Sequence, residues 1–385
     1  MAPRPELMAE LVGEVLPLLP PSEPERLFRA ARVCKSWLRG VCDPSFRARS
    51  PAFHGAPPLL GLLQRFQVLQ ERPAPRFTST TSMPDFPYPG SDGQGKHPVP
   101  LDCRHGRVLI HMVQDEGLDE GLVFVVSDPV TGDRHVLPAP GIVWLICTAA
   151  VFCAADGCQH LDCQGGPFRV AFLATDDAGR QASGVRQCLL TMAATCECYA
   201  QHMRDDIAEN LYHLPYVMPR RIAVIGDEVY FTLRSAHKIV KYNLPNNCLS
   251  MINPPPHTRS PIALMVMEDS SLGFACTESS TLYLWSRKVN SEAAAEWVKC
   301  RSIELETIVP VVDPDYQPFV VGSAEGVGVI FINTDAGLFT LELKSGRVRK
   351  VDEPAHYFSV LPYMSFYTPG SSTRLLGKTI GGQGT

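Results

Sequence analysis

The sequence has few charged residues and lacks the motifs of the common enzyme families. Asp, Glu, Lys and Arg make up 19% of the 385 residues, below the roughly 25% of an average soluble domain. The net charge of −5 gives no reason to expect nucleic acid as a main partner. There is no Gly-x-Ser-x-Gly elbow, no phosphate-binding glycine loop and no His-Glu-x-x-His motif. We therefore expect a non-catalytic protein without a cofactor.

The sequence also lacks an apolar run that could cross a membrane. The longest run, residues 142–155, has about 14 residues, whereas a spanning helix needs about 20. The first ten residues contain Arg4 as their one base and no apolar run follows it, so we expect no secretory signal. The thirteen cysteines, an odd number, are then expected to be reduced thiols. These features predict a protein of the cytoplasm or nucleus that is not bound to a membrane.

Residues suited to a buried core and to many turns are abundant. Apolar residues make up 45% of the chain, which is enough for a sizeable core. The 34 prolines and 29 glycines favour a fold with many turns. Helical periodicity is strong in one stretch, residues 7–46, and nearly all of the rest has the short apolar runs of β-strands.

The first part of this stretch predicts an amphipathic helix. Leu7, Leu11, Val15 and Leu18 recur at helical spacing. Pro17 predicts that the helix ends near Leu16.

A second helix is predicted from Glu25 to about Gly40. Ser22 and Glu25 fit a capping box at its start. Asp43-Pro44 is expected to close the unit, and Phe46 to fold back onto it. Around 40 residues are too few for an independent core, so the unit must rest on a partner or on the rest of the chain.

The order of these features resembles an F-box: a leucine-rich helix, a Leu-Pro turn, a second helix, Val-Cys-x-x-Trp and Asp-Pro-x-Phe. The resemblance implies binding to a Skp-type adaptor, and through it to the cullin and RING subunits of an SCF ubiquitin ligase. The sequence departs from the F-box pattern at Met8, where proline is usual, and at Pro17. The alternative is a helical cap whose apolar residues pack on the C-terminal region. The implied adaptor-binding residues are Leu7, Leu11, Val15, Leu16, Leu19, Pro20, Leu27, Val33, Cys34 and Trp37.

The chain is predicted to divide into four parts. Residues 1–50 form the helical F-box domain, and residues 51–100 a proline-rich linker or irregular first repeat with a helix-like piece at residues 59–69. Residues 101–368 form a β domain, and residues 369–385 a flexible tail. Strands are predicted at residues 107–113, 122–127, 142–153, 168–175, 185–192, 221–225, 229–233, 239–244, 248–252, 262–267, 272–277, 281–285, 297–303, 319–321, 327–333, 338–343 and 348–351.

The fold class is therefore mainly β with a small N-terminal α domain. Strand–turn–strand units centred near residues 131, 246 and 345 are spaced as multiples of a propeller blade. A β-propeller-like domain of about six irregular blades fits this spacing, and an irregular double-sheet domain is the alternative. Phrases such as His105-Gly-Arg-Val-Leu and Gly226-Asp-Glu-Val-Tyr resemble the C-terminal region of many plant F-box proteins, a resemblance that implies a propeller-like fold.

Cysteine and histidine cluster in one stretch of the β domain, at Cys147, Cys153, Cys158, His160 and Cys163. Cys196, Cys198 and His202 follow. Zinc sites favour cysteines separated by two to four residues. Cys147 and Cys153 lie in an apolar run, where a free cysteine is simply a small buried residue. The favoured interpretation is that these residues bind no metal, with zinc as the alternative.

Three functions follow from these patterns. The first is a substrate-recognition subunit of an SCF-type ubiquitin ligase, in which the β domain holds an unknown target protein. The second is a propeller that binds a small ligand or acts as an enzyme, with the helices as a cap. The third is an F-box protein that binds the adaptor without directing degradation.

Overall fold

The structure is a computed structural model of the chain. It describes residues 8–66, 77–81, 96–114, 123–129, 132–137, 144–158, 160, 163, 166–176, 185–191, 196–201, 217–233, 238–256, 258, 260–289 and 295–366. Leu7, His202 and the predicted tail, residues 369–385, lie outside these ranges. The described chain starts with helices and continues with β-strands, as predicted.

Four short α-helices and one 3-10 turn form the helical head, residues 8–54. They are α1 (Ala9–Val15), the 3-10 turn Leu16–Leu18, α2 (Pro24–Ala31), α3 (Lys35–Cys42) and α4 (Pro44–His54). The predicted end of the first helix near Leu16 is confirmed. The predicted capping box is wrong, because Glu23 occupies the N-cap, Pro24 starts α2, and no side chain caps the helix.

The single helix predicted from Glu25 to Gly40 is also wrong. It breaks after Arg32, and Cys34 has an extended backbone. Leu27 of α2 and Val41 of α3 both pack in the head's small core. In one straight helix their Cα atoms would be about 21 Å apart, so the break is what brings both into a single cluster.

Asp43 begins a helix rather than ending the head. Its carboxylate accepts a hydrogen bond of 2.7 Å from the backbone N–H of Ser45, and Pro44 takes the first helical position of α4. Phe46 packs in the head core, as predicted. In place of the helix-like piece predicted at residues 59–69, the described part is a strand, β1 (Leu59–Phe66), in which five consecutive residues are buried.

The strands form five four-stranded antiparallel blades and one three-stranded sheet. Blade 1 contains β3 (Lys96–Arg104), β4 (Arg107–Gln114), β5 (Val123–Ser127) and β6 (Arg134–Leu137). Blade 2 contains β7 (Trp144–Cys153), β8 (Phe168–Asp176), β9 (Val185–Thr191) and β10 (Cys196–Gln201). Blade 3 contains β11 (Ala223–Ile225), β12 (Glu228–Thr232), β13 (Ile239–Asn243) and β14 (Cys248–Ile252).

The last two blades follow the same meander. Blade 4 contains β15 (Ala263–Val266), β16 (Leu272–Glu278), β17 (Thr281–Val289) and β18 (Ala295–Glu304). Blade 5 contains β19 (Phe319–Ala324), β20 (Val329–Thr334), β21 (Gly337–Glu342) and β22 (Val348–Asp352). The predicted count of about six blades is corrected to five four-stranded blades, with a smaller sheet in the remaining place.

That smaller sheet closes the ring. It contains β1 (Leu59–Phe66), β2 (Phe77–Ser79) and β23 (Tyr357–Met364), in the order β2-β1-β23. β1 pairs antiparallel with β23, so strands nearly 300 residues apart hold the two ends of the β body (residues 59–366) together. Closure of this kind leaves fewer free sheet edges than an open arrangement.

A hydrophobic cluster lies between each sheet and the next around the ring. In β4, Val108 and Ile110 pack toward the closing sheet while Leu109 packs toward blade 2. Strands that are buried on both faces appear in the sequence as continuous apolar runs. The propeller arrangement therefore replaces the double-sheet alternative.

Candidate functional sites

The helical head exposes most of the large apolar side chains that face solvent in the described residues. Seven of these eleven side chains lie between residues 8 and 53. Met8, Leu11, Val15 and Leu18 follow one another at spacings of three and four, so they form a stripe along α1 and the 3-10 turn. Val12 and Leu16 point the other way, into the head core. We call Met8, Leu11, Val15 and Leu18 the exposed stripe.

The residues predicted to bind an adaptor are divided between the surface and the core. Leu11, Val15 and Val33 are exposed, whereas Leu16 and Leu27 are buried. Leu19, Pro20, Cys34 and Trp37 are partly buried, and Leu19 and Trp37 pack against the head core. Leu7 lies outside the described residues.

The head has a small core and a limited contact with the β body. The buried residues of its hydrophobic cluster are Val12, Leu16, Leu27, Ala30, Val41 and Phe46. From α2, Phe28 packs on the cluster between the closing sheet and blade 1. From α4, the ring of His54 lies 6.5 Å from that of Phe366. These contacts leave the exposed stripe uncovered.

A cavity of about 940 Å³ lies where the first two strands of each of the five blades are connected. Its lining includes His105 of blade 1, Gly226 of blade 3, Ser270 of blade 4 and Gly326 of blade 5. Blade 2 contributes Cys153 and His160 from the connection between β7 and β8. The lining also extends to the outer halves of blades 4 and 5, through Leu284, Lys288, Cys300, Arg301, Leu343 and Lys344. We call this the axial cavity.

Buried charges beside the axial cavity link blades that are distant in sequence. Arg104 donates a hydrogen bond of 2.7 Å to Glu325 of blade 5 and another of 2.7 Å to the carbonyl of Ile222. Arg104 also lies 3.5 Å from Asp102, and Arg221 lies 3.4 Å from Glu325. Removing one partner from such a buried network leaves an uncompensated charge, so these side chains help to fix the relative positions of the blades.

The two carboxylates of this network respond differently to their surroundings. Burial would raise the pKa of Glu325, but the guanidinium groups of Arg104 and Arg221 outweigh it, and the pKa is lowered. Burial raises the pKa of Asp102, and Arg104 and Arg221 offset this only in part. Asp102 nevertheless accepts a hydrogen bond of 3.0 Å from the backbone N–H of Val151 in blade 2.

Sequence reasoning missed Arg104, Arg221 and Glu325. A signal was present, because Arg104 and Glu325 come just before the turn glycines Gly106 and Gly326 in corresponding connections of blades 1 and 5. The sequence alone did not show that the two connections belong to one ring.

Three thiols and an imidazole come together at the edge of the axial cavity. The ligating atoms of Cys153, Cys158, His160 and Cys163 all lie within 4.8 Å of one another. The two sulfur atoms of Cys158 and Cys163 are 3.6 Å apart, and Nδ1 of His160 lies 3.7 Å from the sulfur of Cys163. Among the described residues this is the one group of this kind.

Of the other residues of the predicted cluster, the structure describes the side chain of Cys147, which does not join this group. Cys147 is buried in the core between blades 1 and 2, as expected of a small apolar residue. Cys196 and Cys198 lie in β10, the outermost strand of blade 2. His202 lies outside the described residues.

Polar contacts hold the connection that carries the thiols. Arg107 donates hydrogen bonds to the carbonyl oxygens of Cys163 and Gly166, the second at 2.7 Å. The backbone N–H of His160 donates to the sulfur of Cys158 at 3.4 Å, which is the main reason that the pKa of this thiol is lowered. Burial raises the pKa of Cys163.

Comparison with known proteins identifies no family for this chain. No family model and no curated protein sequence matches the chain. Within the described residues, no helix is long and apolar enough to cross a membrane.

Three solved structures to which this chain has a distant similarity are described by their identity, coverage and TM-score. A chain of a nidogen/laminin complex is 13% identical with a TM-score of 0.39, and the match covers 79% of this chain and 98% of that one. Virginiamycin B lyase from Staphylococcus aureus, solved with quinupristin, is 11% identical with a TM-score of 0.34 over 68% of this chain and 86% of that one. The β-propeller domain of Cps50 (Swd1) from Myceliophteria thermophila is 10% identical with a TM-score of 0.34 over 68% and 90%.

Proposed function

We propose that this chain is a substrate-recognition subunit of an SCF-type E3 ubiquitin ligase. In this proposal the helical head binds a Skp-type adaptor, which links it to the cullin and RING subunits. The β body holds a target protein, and the ligase's other subunits transfer the ubiquitin. The chain itself is non-catalytic and acts by raising the effective concentration of the target near the ligase.

The exposed stripe carries this proposal. Isolated apolar side chains are normal on protein surfaces, but a contiguous row of them indicates an interaction site. Leu11 and Val15 are 42% and 36% exposed at the same time as Val12 and Leu16 are buried. The helix α1 therefore has apolar residues on two sides, one filling the head core and one left for a partner.

The β body supplies the second part of the proposal. Its ring is closed by β1 and β23, so its core is complete without the target. Loops at the ends of a propeller and its axial cavity are available to a partner, because loops on a rigid scaffold commonly carry binding residues.

The test is adaptor binding by purified full-length protein. Leu11→Gln with Val15→Gln should weaken binding to a Skp-type adaptor at least about tenfold. Losing two apolar side chains that the adaptor would bury costs more than about 1.4 kcal/mol of binding free energy. The control is Val289→Gln with Val298→Gln, which removes two exposed valines from blade 4. Leu16 is left intact because it lies in the head core. Equal binding by both double variants and the wild type would contradict the proposed docking face.

The axial cavity favours the second candidate, a propeller that binds a small ligand. Its volume, about 940 Å³, lies in the range of ligand sites, and Arg104 and Glu325 place opposite charges at its wall. The head would then be a cap, and the chain would show no affinity for the adaptor even in its wild-type form.

Protein lifetimes distinguish the third candidate, an adaptor-binding protein without a role in degradation, from the proposed substrate receptor. Half-lives should be measured across the proteome in cells that express the wild type or the Leu11→Gln, Val15→Gln variant. A substrate receptor shortens the life of at least one protein only in the wild type. If all half-lives are equal while adaptor binding is intact, the third candidate is favoured.

A further inference from the structure

Four potential metal ligands converge at the connection between β7 and β8. Cys163 is buried, but no hydrophobic cluster of the described β body includes any of the four. Cys153 ends β7, and Cys158, His160 and Cys163 follow it before β8 begins. Elsewhere, Cys103, Cys147 and Cys276 are buried singly among apolar neighbours. His160, in contrast, is exposed and Cys158 is only partly buried. Burial of small apolar residues therefore does not explain why these four side chains meet.

Two of the distances between these ligand atoms match a tetrahedral metal site, and all the others are at most 4.8 Å. With bonds of about 2.3 Å to sulfur and 2.0–2.1 Å to nitrogen, a tetrahedral zinc ion sets sulfur atoms about 3.8 Å apart and sulfur and nitrogen about 3.6 Å apart. The distance between the sulfurs of Cys158 and Cys163 is 3.6 Å, and the distance from Cys163 sulfur to His160 Nδ1 is 3.7 Å. A disulfide requires about 2.05 Å, so the two sulfurs are at ligand spacing rather than bonding distance.

The backbone N–H groups around the cluster favour metal-bound thiolates over free thiols. The N–H groups of Ala155 and His160 each approach a cysteine sulfur at 3.4 Å, on Cys153 and Cys158 respectively. Such contacts stabilise the negative charge of a bound thiolate. Arg107 holds the carbonyl oxygens of Cys163 and Gly166 and brings a positive charge near the site.

The backbone at His160 is also unusual. Its φ is +59°, in the left-handed region that few residues other than glycine adopt. Strain of this kind persists where the surrounding structure fixes a side chain in a functional position. The imidazole of His160 stacks on that of His105, with ring centroids 4.5 Å apart, while its Nδ1 faces Cys163.

We propose that Cys153, Cys158, His160 and Cys163 bind one Zn²⁺ ion as a closed, structural site. Three thiolates and one imidazole fill the four positions that zinc prefers in structural sites, so no position is left for water or substrate. The ion would link Cys153, at the end of β7, to Cys158, His160 and Cys163. Because Cys153 and His160 also line the axial cavity, the ion would fix these two side chains in its wall.

Metal analysis of the full-length protein tests this proposal. The protein is produced in medium supplied with zinc, purified in reducing buffer and analysed by mass spectrometry for metals. We expect one zinc per chain in the wild type and less than about a tenth of that in Cys158→Ser with Cys163→Ser. The matched control is Cys248→Ser with Cys300→Ser, which changes two exposed cysteines of blades 3 and 4 and should keep its zinc.

Cobalt replacement reports the ligands directly. Wild-type protein reloaded with Co²⁺ should show the absorption of a tetrahedral ion and thiolate-to-cobalt charge transfer, and His160→Ala should alter or remove both. A second variant, His160→Asn, guards against misfolding, because asparagine tolerates the left-handed backbone at this exposed position and leaves the thiols. Circular dichroism checks that each protein is folded.

Two results would overturn the proposal. One is folded wild-type protein with less than about a tenth of a zinc per chain and no cobalt spectrum after reloading. The other is equal zinc in the wild type and the Cys158→Ser, Cys163→Ser variant. A chelator should also lower the melting temperature of the wild type and the control but not that of this variant. Adaptor binding by the head is expected to be unaffected, so this site and the proposed function can fail independently.

Discussion

The helical head and the β body differ in where their apolar side chains lie. In the body, each sheet buries both faces against its neighbours, and the exposed large apolar side chains among the described residues are four valines, Val136, Val289, Val298 and Val312. In the head, the hydrophobic cluster among the described side chains has six buried residues, and seven large apolar side chains face solvent. The body is complete because its ring closes on itself, whereas the head lacks a surface to cover one side of α1.

Truncating one buried leucine in each region is the sharpest test of this difference. Leu62 lies between blade 5 and the closing sheet, and Leu16 lies in the head core. Leu62→Ala should lower the free energy of unfolding of the body by about 2–5 kcal/mol. Leu16→Ala should raise hydrogen exchange in residues 8–54 and leave the blades as protected as in the wild type.

Amide hydrogen exchange followed by mass spectrometry measures both effects. Leu16→Ala is the control for Leu62→Ala, since each variant removes the same atoms from a fully buried site. If Leu16→Ala also speeds exchange throughout the blades, the head and body unfold as one cooperative unit, and the proposed difference is wrong.

Replacing one glycine by alanine in each region should have effects of opposite sign. A Cβ at Gly322 in β19 would run into the carbonyl oxygen of Val360 in β23, where blade 5 meets the closing sheet. Gly322→Ala should therefore lower the free energy of unfolding by about 1–3 kcal/mol. Gly13 lies in α1, where a Cβ would find its nearest atom at 3.8 Å. Gly13→Ala should stabilise the head by about 0.5–1 kcal/mol.

Urea unfolding curves give the first effect, and the helical circular dichroism signal on heating gives the second. If Gly322→Ala leaves the unfolding midpoint unchanged, then β23 does not pack on blade 5 tightly enough to close the ring. If Gly13→Ala lowers helix stability, α1 has a closer neighbour than Arg49, the one residue within 4 Å of that Cβ among the described atoms.

Lowering the pH should reduce the free energy of unfolding of the β body through His111, a buried histidine of β4. Burial, with a smaller contribution from the charge of Arg65, lowers the pKa of His111 to about 4. An unfolded histidine titrates near 6.5, so between these values the unfolded chain binds more protons than the folded one. Stability is therefore highest above pH 6.5 and is lost as the pH falls toward 4, by at most about 1.4 kcal/mol per pH unit.

His111→Phe should flatten this part of the stability profile, since phenylalanine cannot be protonated and can still stack on Phe124. Urea unfolding at several pH values between 4 and 7 measures the slope. His135→Gln is the control, because His135 is exposed in β6 of the same blade. A slope equal to that of the wild type in His111→Phe would show that His111 is protonated equally in both states.

Much of the fold could be predicted from the sequence because its strands are buried on both faces. Residues 107–113, 168–175 and 272–277 are predominantly apolar runs, and β4, β8 and β16 occupy these positions. The strands that were missed have weaker patterns. β3 contains Pro98 and Pro100, which are tolerated in a strand with one unpaired edge, and β1 looked helical because its leucines fit helical spacing as well as a buried strand.

The sites depend on contacts between distant residues, which local patterns do not contain. The pairing of Arg104 with Glu325 spans 221 positions and needs the ring to close. The thiols of Cys153, Cys158 and Cys163 were visible as a cluster, but their spacing alone did not separate a metal site from buried cysteines. In the head, periodicity identified Leu11 and Leu16 equally as apolar, and the packing of α2, α3 and α4 covers Leu16 but not Leu11.

The smallest expected change in the free energy of unfolding is for variants of the exposed stripe. Measuring it shows whether weaker adaptor binding comes from a lost contact or from an unstable head. Leu11→Gln with Val15→Gln should change the free energy of unfolding by less than about 0.5 kcal/mol, because both side chains are already in contact with water and glutamine suits a helix better than valine.

Val12→Gln is the contrasting variant, since the same helix buries Val12 in the head core, where an amide would lose its hydrogen bonds to water. Thermal unfolding of the helical signal compares them. If the stripe variant is as unstable as Val12→Gln, then Leu11 and Val15 hold the head together, and weaker adaptor binding by that variant would reflect unfolding rather than a lost contact.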